Sequence, residues 1–260
     1  MRTLLKLGGK LLEPAPAPEL VAALARARAA GEELIIVHGG GRAVSGLLRR
    51  LGLASEFRQG LRVTHAETLQ AVVMALAGEV NTRLVAALNA AGVRAVGLTG
   101  LDAASVTARA ERPELGAVGT ITAVNPSLWL ALLAAGVTPV LAPLASDGAG
   151  GALNVNADQF AAAVAAACGA ARVLFATDVA GVLDAAGQPL AQVSLAQLEA
   201  MAASGAIRDG MLPKADACRT ALQAGATPQV EIVGPAATSR LDQILAGAPA
   251  GGTRVTEQPL

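Results

Sequence analysis

Short apolar runs alternate with helical stretches along the chain, and this alternation constrains the fold more than any other feature of the sequence. Runs rich in Leu, Val and Ile occupy residues 4–7, 34–37, 94–98, 138–144, 172–176 and 229–233. Stretches between them, such as residues 18–30, carry apolar residues at helical spacing. Alternating strands and helices indicate an α/β fold with mainly parallel strands. We therefore predict a three-layer α/β/α sandwich around an open, mainly parallel central sheet.

Three segments interrupt this simple alternation. Residues 57–64 suggest a hairpin around Gln59-Gly60, and residues 106–124 suggest a pair of antiparallel strands. Residues 65–91 have the pattern of a long helix, which we expect to break at Gly78 because glycine lowers helix propensity.

The second half of the chain suggests how the fold is divided. A soft boundary near residues 170–180 predicts two lobes that share one sheet, residues 1–172 and residues 173–260. Residues 252–255 form the last apolar run, which we predict to be a strand at the edge of that sheet.

The charge balance and the cysteine count exclude several classes of protein. The chain has 20 Lys and Arg against 20 Asp and Glu, so it lacks the basic excess of a dedicated nucleic-acid-binding protein. Its 53% hydrophobic residues argue against disorder. Cys168 and Cys218 are too few for a disulfide scaffold, which favours a reducing, cytoplasmic setting. His38 and His65 share no ligand spacing with each other or with the cysteines, so we predict no metal-ligating side chains.

One uncharged stretch, residues 127–146, has the length of a membrane-spanning helix. Gly136, Pro139 and Pro143 interrupt it, and this pattern is typical of a helix followed by a short strand. We therefore predict no membrane span there.

Two glycine-rich turns follow the first two predicted strands. Gly8 and Gly9 follow the first, and His38-Gly39-Gly40-Gly41 follows the second and opens a helix. Glycine amides beside a helix N-terminus favour an anion, although a tight turn without a ligand has the same sequence pattern. The dinucleotide-binding pattern GxGxxG is excluded because Val44 stands where its last glycine belongs, and no GxxxxGK[ST] occurs.

Charged residues near these and other turns are candidates for binding phosphate or carboxylate. Lys6 interrupts an apolar strand and Lys214 lies just inside a predicted helix, so each could face a phosphate or simply reach solvent. Arg62 could hold a carboxylate through two N–H groups, or it could be a solvated hairpin residue. Asp158 and Asp178 adjoin turns, and Asp158 could equally be an acidic residue in the first turn of a helix.

Six motifs occur in a fixed order from about residue 3 to residue 255. They are Lys6-Leu-Gly-Gly9, Val37-His-Gly-Gly-Gly41, Gly60-Leu-Arg-Val-Thr64, Asn154-Val-Asn-Ala-Asp158, Thr177-Asp-Val-Ala-Gly-Val-Leu183 and Gly210-Met-Leu-Pro-Lys214. In this combination the chain resembles the amino acid kinase family over nearly its whole length. The second, third and fourth motifs together are typical of the members that act on N-acetyl-L-glutamate.

The resemblance implies a reaction and a role for each motif. The expected reaction is ATP- and Mg²⁺-dependent phosphorylation of the side-chain carboxylate of N-acetyl-L-glutamate, giving N-acetyl-L-glutamyl 5-phosphate for arginine biosynthesis. The implied catalytic residues are Lys6, Lys214 and Asp158. The implied substrate ligands are Gly40, Gly41, Arg62 and Asn154, and the residues implied along ATP are Gly8, Gly9, Thr177, Asp178, Gly181 and Met211. A carboxylate is already a nucleophile at pH 7, so positioning and charge neutralisation suffice for this reaction.

The resemblance also implies a homodimer, and it is compatible with a second substrate class. Residues 1–172 would bind acetylglutamate and form a homodimer, and residues 173–260 would bind ATP. The first strand begins close to Met1, where arginine-inhibited hexameric members carry an extra helix, so we expect an arginine-insensitive homodimer. The alternative is a sister kinase for carrier-protein-linked 2-aminoadipate in lysine biosynthesis, against which the intact second and third motifs argue. The presence of Lys6, Asp158 and Lys214 argues against a non-catalytic relative.

Overall fold

Strands and helices alternate through most of the chain. The computed structural model describes residues 1–208, 210–223 and 229–258. Its strands are β1 (Arg2–Leu7), β2 (Glu33–His38), β3 (Phe57–Arg58), β4 (Leu61–Arg62), β5 (Ala95–Thr99), β6 (Val106–Arg109), β7 (Thr120–Val124), β8 (Thr138–Ala142), β9 (Leu144–Ser146), β10 (Ala152–Asn154), β11 (Arg172–Ala176), β12 (Gln192–Ser194), β13 (Gln229–Val233) and β14 (Thr253–Thr256). Its α-helices are α1 (Pro18–Ala29), α2 (Gly41–Arg50), α3 (Ala66–Val73), α4 (Thr82–Ala90), α5 (Ser127–Ala134), α6 (Ala157–Ala167), α7 (Leu195–Ala203), α8 (Met211–Gln223), α9 (Pro235–Thr238) and α10 (Leu241–Leu245).

The central sheet has eight strands in the order β12-β14-β13-β11-β1-β2-β8-β5. All neighbouring strands in it are parallel except β13 and β14, which are antiparallel. The central strand β1 is buried from Thr3 to Leu7, as expected for a strand with a neighbour on each side and helices on both faces. The predicted open, mainly parallel sheet is confirmed.

Successive residues of the central strands pack into two different cores. Leu4 lies in one core with Phe160 of α6, while Leu5 lies in another with Leu24 of α1 and Leu84 of α4. Because successive side chains of a strand point to opposite faces, these two cores lie on the two sides of the sheet. The molecule is therefore a three-layer α/β/α sandwich, as the sequence predicts.

Two smaller sheets accompany the central sheet. One has four strands in the order β10-β9-β6-β7, and the other is the hairpin β3-β4. Strands β6 and β7 are antiparallel, and so are β3 and β4, which confirms the predicted strand pair and the predicted hairpin. Single bridges from Thr64 to Gly116 and from Val118 to Asn154 tie the hairpin, the loop before β7 and β10 together. Arg62 of the hairpin donates a hydrogen bond to the carbonyl of Gly41, so the hairpin lies beside the loop that follows β2.

A helix of 25 residues, Ala66–Ala90, runs beside β5 at one end of the central sheet. The predicted break at Gly78 is wrong, because α3 continues through a π-helical turn, Met74–Asn81, into α4. A Cβ added at Gly78 would meet no atom within 4 Å outside the helix's own backbone, so the packing around this position does not require glycine. The helix is long and apolar enough to span a membrane, a property that core helices of soluble proteins share, and 44% of its most apolar window is buried in the fold.

The strand order at one edge of the central sheet differs from the prediction. The last strand, β14, is not at the edge of the sheet, because it lies between β12 and β13. The edge strand at this end of the sheet is β12, which was not predicted because three residues are too few for a recognisable alternation of polar and apolar side chains. The uncharged stretch 127–146 is divided among α5, β8 and β9.

Candidate functional site

Two glycine loops lie side by side at the carboxyl ends of β1 and β2. A Cβ built on Gly9 would lie 2.8 Å from the amide nitrogen of Gly40, and one built on Gly39 would lie 3.3 Å from the amide nitrogen of Gly9. Side chains at these positions would therefore push the loops apart. Within the described residues, the N–H groups of Gly9, Gly40 and Gly41 donate no hydrogen bond. They are free to bind an anion between the loops.

A buried Lys–Asp–Lys cluster lies next to the glycine loops. The ammonium nitrogens of Lys6 and Lys214 lie 2.8 Å and 2.9 Å from the same carboxylate oxygen, Oδ1 of Asp158. Lys6 comes from β1, Asp158 from the first turn of α6 and Lys214 from the first turn of α8, so three elements converge on one atom. All three residues are at least 93% buried. The cluster has two positive charges and one negative charge, and it lines a cleft that can take an anion.

Burial and charge act in opposite directions on these groups. Burial favours the neutral form of Asp158, but the charges and hydrogen bonds of Lys6 and Lys214 outweigh it and lower its pKa to about 2. For Lys6, burial is the largest influence and lowers its pKa below the usual value, although Asp158 favours its charged form and Lys214 opposes it. Asp158 is therefore a permanent carboxylate that holds two cations in place.

The low pKa of Asp158 predicts an acid-dependent loss of stability. The folded-state pKa is below the unfolded value of about 3.9, so the carboxylate stabilises the fold above pH 4 and loses that contribution as the pH falls from about 4 to 2. The contribution is on the order of 2 kcal/mol. We expect urea unfolding of the wild type to show this loss between pH 4.5 and 2, and the Asp158→Asn variant to show a smaller one. Equal pH dependence in both proteins would contradict the low pKa.

Asp158 is free to bind the lysines because another residue caps its helix. The side-chain oxygen of Asn156 accepts hydrogen bonds from the amides of Asp158 and Gln159, at 2.9 Å and 3.2 Å. This is the ordinary role of an N-cap residue. The carboxylate of Asp158 therefore points at Lys6 and Lys214 instead of at its own backbone.

Arg62 lies buried in the wall of a small cavity and has no acidic partner among the described residues. Its guanidinium donates to the carbonyl of Gly41 at 3.0 Å and to the hydroxyl of Ser45 at 2.9 Å, and it lies 4.6 Å from the centre of the Phe57 ring. Burial lowers its pKa. It forms no ion pair with a carboxylate in the part of the chain that is described. A buried cation held only by neutral groups favours an incoming anion.

The cavity beside Arg62 has a volume of about 170 Å³ and also contains Gly40, Gly41 and Asn154 in its walls. The amide nitrogen of Asn154 donates to the hydroxyl of Thr64 at 3.1 Å, which joins β10 to the hairpin strand that carries Arg62. All four residues that the sequence implies as substrate ligands therefore meet in one cavity.

A larger cleft of about 630 Å³ adjoins this cavity on the other side of the glycine loops. Nine of the predicted site residues line it, namely Lys6, Gly8, Gly9, Gly41, Asp158, Thr177, Asp178, Met211 and Lys214. Gly181 does not line it: a Cβ there would lie 2.5 Å from Oγ1 of Thr253 on β14, so this glycine packs against the sheet. Its place along a nucleotide stays a prediction.

Several residues of this cleft were not predicted from the sequence. Lys10 lies at its rim and forms an ion pair with Asp178, and the exposed side chains of Arg42 and Arg208 line it as well. The signal for Lys10 was its place four residues after Lys6, at the end of the same glycine loop. Arg42 directly follows the second glycine loop, so its position also gave a signal.

Comparisons with known proteins agree with this arrangement. The profile described as "Amino acid kinase family" matches residues 1–233. The chain is 45% identical to the acetylglutamate kinase of Solibacter usitatus, over 98% of this chain and 100% of the relative. It is 41% identical to the acetylglutamate kinase of Acidobacterium capsulatum, over 98% of this chain and 99% of the relative. Among solved structures, smu.665 from Streptococcus mutans superposes with a TM-score of 0.87 at 29% identity, covering 99% of both chains. Carbamate kinase from Giardia lamblia shares the fold, with a TM-score of 0.72 at 14% identity over 99% of this chain and 98% of that one.

Proposed function

The chain belongs to the amino acid kinase family, and from this membership we propose that it phosphorylates the side-chain carboxylate of N-acetyl-L-glutamate with ATP. The observation that supports the proposal best is the buried Lys6–Asp158–Lys214 cluster, which lines a cleft of about 630 Å³ next to the cavity that contains Arg62. The full-length relatives named above are acetylglutamate kinases, so the aminoadipate alternative is not favoured.

The reaction requires positioning and charge neutralisation. An oxygen of the side-chain carboxylate forms a bond to the γ-phosphorus of ATP, the bond from that phosphorus to the β,γ-bridging oxygen breaks, and ADP leaves with the electron pair. Lys6 and Lys214 neutralise the charge on the phosphoryl group in transfer. Asp158 holds both ammonium groups at one point of the cleft and prevents their mutual repulsion from separating them.

The acid substrate is held in the smaller cavity. Arg62 binds its α-carboxylate, Asn154 binds a polar group of the acetylated amine, and the amides of Gly40 and Gly41 face the side-chain carboxylate that reacts. The absence of an acidic partner for Arg62 among the described residues supports this assignment, because the substrate carboxylate supplies the missing charge.

The nucleotide lies along the larger cleft, with Gly8, Gly9 and Lys10 near its phosphates and Thr177, Asp178, Gly181 and Met211 along the rest. Mg²⁺ on ATP supplies further charge neutralisation when it is bound. The described residues contain no cluster of three metal-ligating side chains, and Asp158 and Asp178 are the carboxylates in the cleft walls. This donor set suits Mg²⁺ that is coordinated mainly by phosphate oxygens.

A substrate panel tests the proposed function. Purified protein is assayed for Mg-ATP-dependent ADP release with N-acetyl-L-glutamate, L-glutamate, L-aspartate and N-acetyl-2-aminoadipate. We expect N-acetyl-L-glutamate to give the highest kcat/KM. Preference for another acid would leave the kinase fold in place and contradict the assignment of the smaller cavity.

Replacing Arg62 by alanine raises KM for N-acetyl-L-glutamate. We expect an increase of about 10–100-fold, the size of one charged hydrogen bond, with little change in kcat or in KM for ATP. Arg58→Ala is the matched control, because Arg58 lies on the same hairpin but is exposed and pairs with Glu56. Steady-state kinetics of both variants provide the measurement. An unchanged KM in Arg62→Ala would remove this residue from the substrate site.

We further propose that the enzyme is a cytoplasmic homodimer of arginine biosynthesis. The long helix Ala66–Ala90 and strand β5 form one end of the molecule, and β5 is an edge strand of the central sheet. Met74 on this helix is 56% exposed, and Leu69 and Val73 lie beside it in a shallow apolar pocket. A second copy packed on this face would cover that apolar surface. Light scattering is expected to give twice the mass of the 25.7 kDa chain.

A further inference from the structure

The second glycine loop is tied to the long helix by a buried histidine. The ring of His38, at the end of β2, has no solvent-accessible surface. Its Nδ1 lies 3.0 Å from the carbonyl oxygen of Gly39, and its Nε2 lies 3.0 Å from the side-chain nitrogen of Asn81. His38 was part of a motif in the sequence, but the proposed reaction gives its side chain no role.

The hydrogen-bond partners define one tautomer of this ring. The carbonyl of Gly39 can only accept, so Nδ1 of His38 must carry the proton. The side-chain NH₂ of Asn81 also donates to the carbonyl of Val140, at 2.9 Å, which turns this NH₂ and not its oxygen toward the ring. Nε2 of His38 is then the acceptor and carries no proton. Burial lowers the pKa of His38 to about 4, so the ring is neutral at neutral pH.

The π-helical turn places the second member of this pair. Asn81 is the last residue of that turn, Met74–Asn81. Two other residues of the turn pack closely against the same loop, because a Cβ added to Gly40 would lie 2.7 Å from Leu76 and 3.1 Å from Val80. The turn therefore holds the glycine loop through a hydrogen-bonded pair and through close packing. π-turns within α-helices occur often at functional sites.

The contact of His38 has a direct consequence for the site. The hydrogen bond holds the carbonyl of Gly39 toward the ring, and in a planar trans peptide the N–H of the next residue points the opposite way. That N–H belongs to Gly40, whose nitrogen lies beside Gly9 of the adjacent glycine loop. We propose that His38 and Asn81 are a positioning pair that sets the direction of the Gly40 N–H, and thereby the donor offered to the reacting carboxylate or phosphoryl oxygens. This inference rests on the proposed phosphoryl transfer at the same site.

Two isosteric replacements of His38 separate positioning from simple filling of space. The side-chain nitrogen of asparagine can occupy the place of Nδ1 and keep the bond to Gly39. Glutamine can reach the place of Nε2 and keep the contact with Asn81, but it leaves the Gly39 carbonyl without its donor. We expect His38→Gln to lower kcat by about tenfold with a smaller change in KM, and His38→Asn to stay within about threefold of the wild type. Their melting temperatures are measured alongside.

Spectroscopy of the wild-type protein tests the geometry without any variant of His38. The chain has only two histidines, and His65→Asn assigns the two rings in a ¹⁵N NMR spectrum. We expect His38 to be protonated on Nδ1 and not on Nε2 at pH 7. Protonation on Nε2 would overturn the proposal, as would equal kcat in His38→Gln and His38→Asn at equal melting temperature. If the wild type does not use N-acetyl-L-glutamate, the proposed function fails, while the NMR result still decides the geometry and the acid that is used serves for the kinetic comparison.

Discussion

Replacing Lys6 or Lys214 by alanine lowers kcat by about 10²–10³-fold, or roughly 3–4 kcal/mol, the effect of removing one preorganised charge from a buried site. Each lysine places its ammonium group in the cleft within 2.9 Å of Asp158. In either variant Asp158 keeps one lysine partner, so the fold should survive. Steady-state ADP release under saturating ATP and acid substrate measures the effect.

The control for these variants is Arg254→Ala. Arg254 lies on β14, is exposed and pairs with Glu231 on the neighbouring strand. The Arg254→Ala substitution removes a positive charge from the surface, and we expect the kcat of this variant to equal that of the wild type. Near-normal turnover in both lysine variants would refute their roles in phosphoryl transfer.

Replacing Asp158 by alanine destabilises the protein by about 3–5 kcal/mol, because two buried ammonium groups then face each other without a carboxylate. This loss exceeds that in either lysine variant, where one ion pair remains. The free energy of unfolding in urea at pH 7 provides the measurement. Activity is lost as well, since nothing holds the two lysines at one point.

A triple replacement distinguishes charge from packing. Lys6→Met, Asp158→Leu and Lys214→Met together remove the whole cluster and fill the space with apolar side chains. Buried ion clusters replaced in this way usually keep or regain stability. We expect the triple variant to unfold near the wild-type urea concentration and to be inactive. A single Asp158→Ala variant as stable as the wild type would contradict the account of the cluster.

The sequence predicted the fold because its strands are apolar and its turns are rich in glycine. β1, β2 and β11 are buried over nearly their whole length, and each is a mainly apolar run, interrupted in β1 by Lys6. The three-residue strand β12 offered no such run, and without it β14 was expected at the edge. The π-turn was not predicted, because helix propensity does not distinguish it from an α-turn and because Leu76, Val80 and Asn81 in it contact residues that are distant in sequence.

The candidate site was predicted in its members but not in its geometry. Residues 6, 158 and 214 lie far apart in the sequence, and no spacing shows that one carboxylate oxygen serves both lysines. These three residues were implied by the motifs that the chain shares with a known family. Their burial and the distances between them are seen only in the structure. The contact between His38 and Asn81 had no sequence signal, because it depends on how the helix lies against β2 and β8.

The central claim is that the chain forms an acyl phosphate on the side chain of N-acetyl-L-glutamate at the Lys6–Asp158–Lys214 cluster. Hydroxylamine added to the reaction with Mg-ATP converts an acyl phosphate into a hydroxamate, which mass spectrometry identifies and locates. We predict a hydroxamate at the side-chain carboxyl group, formed in step with ADP by the wild type and at a rate about 10²–10³-fold lower by Lys6→Ala. ADP release without any hydroxamate, or equal hydroxamate formation by the two proteins, would contradict this account.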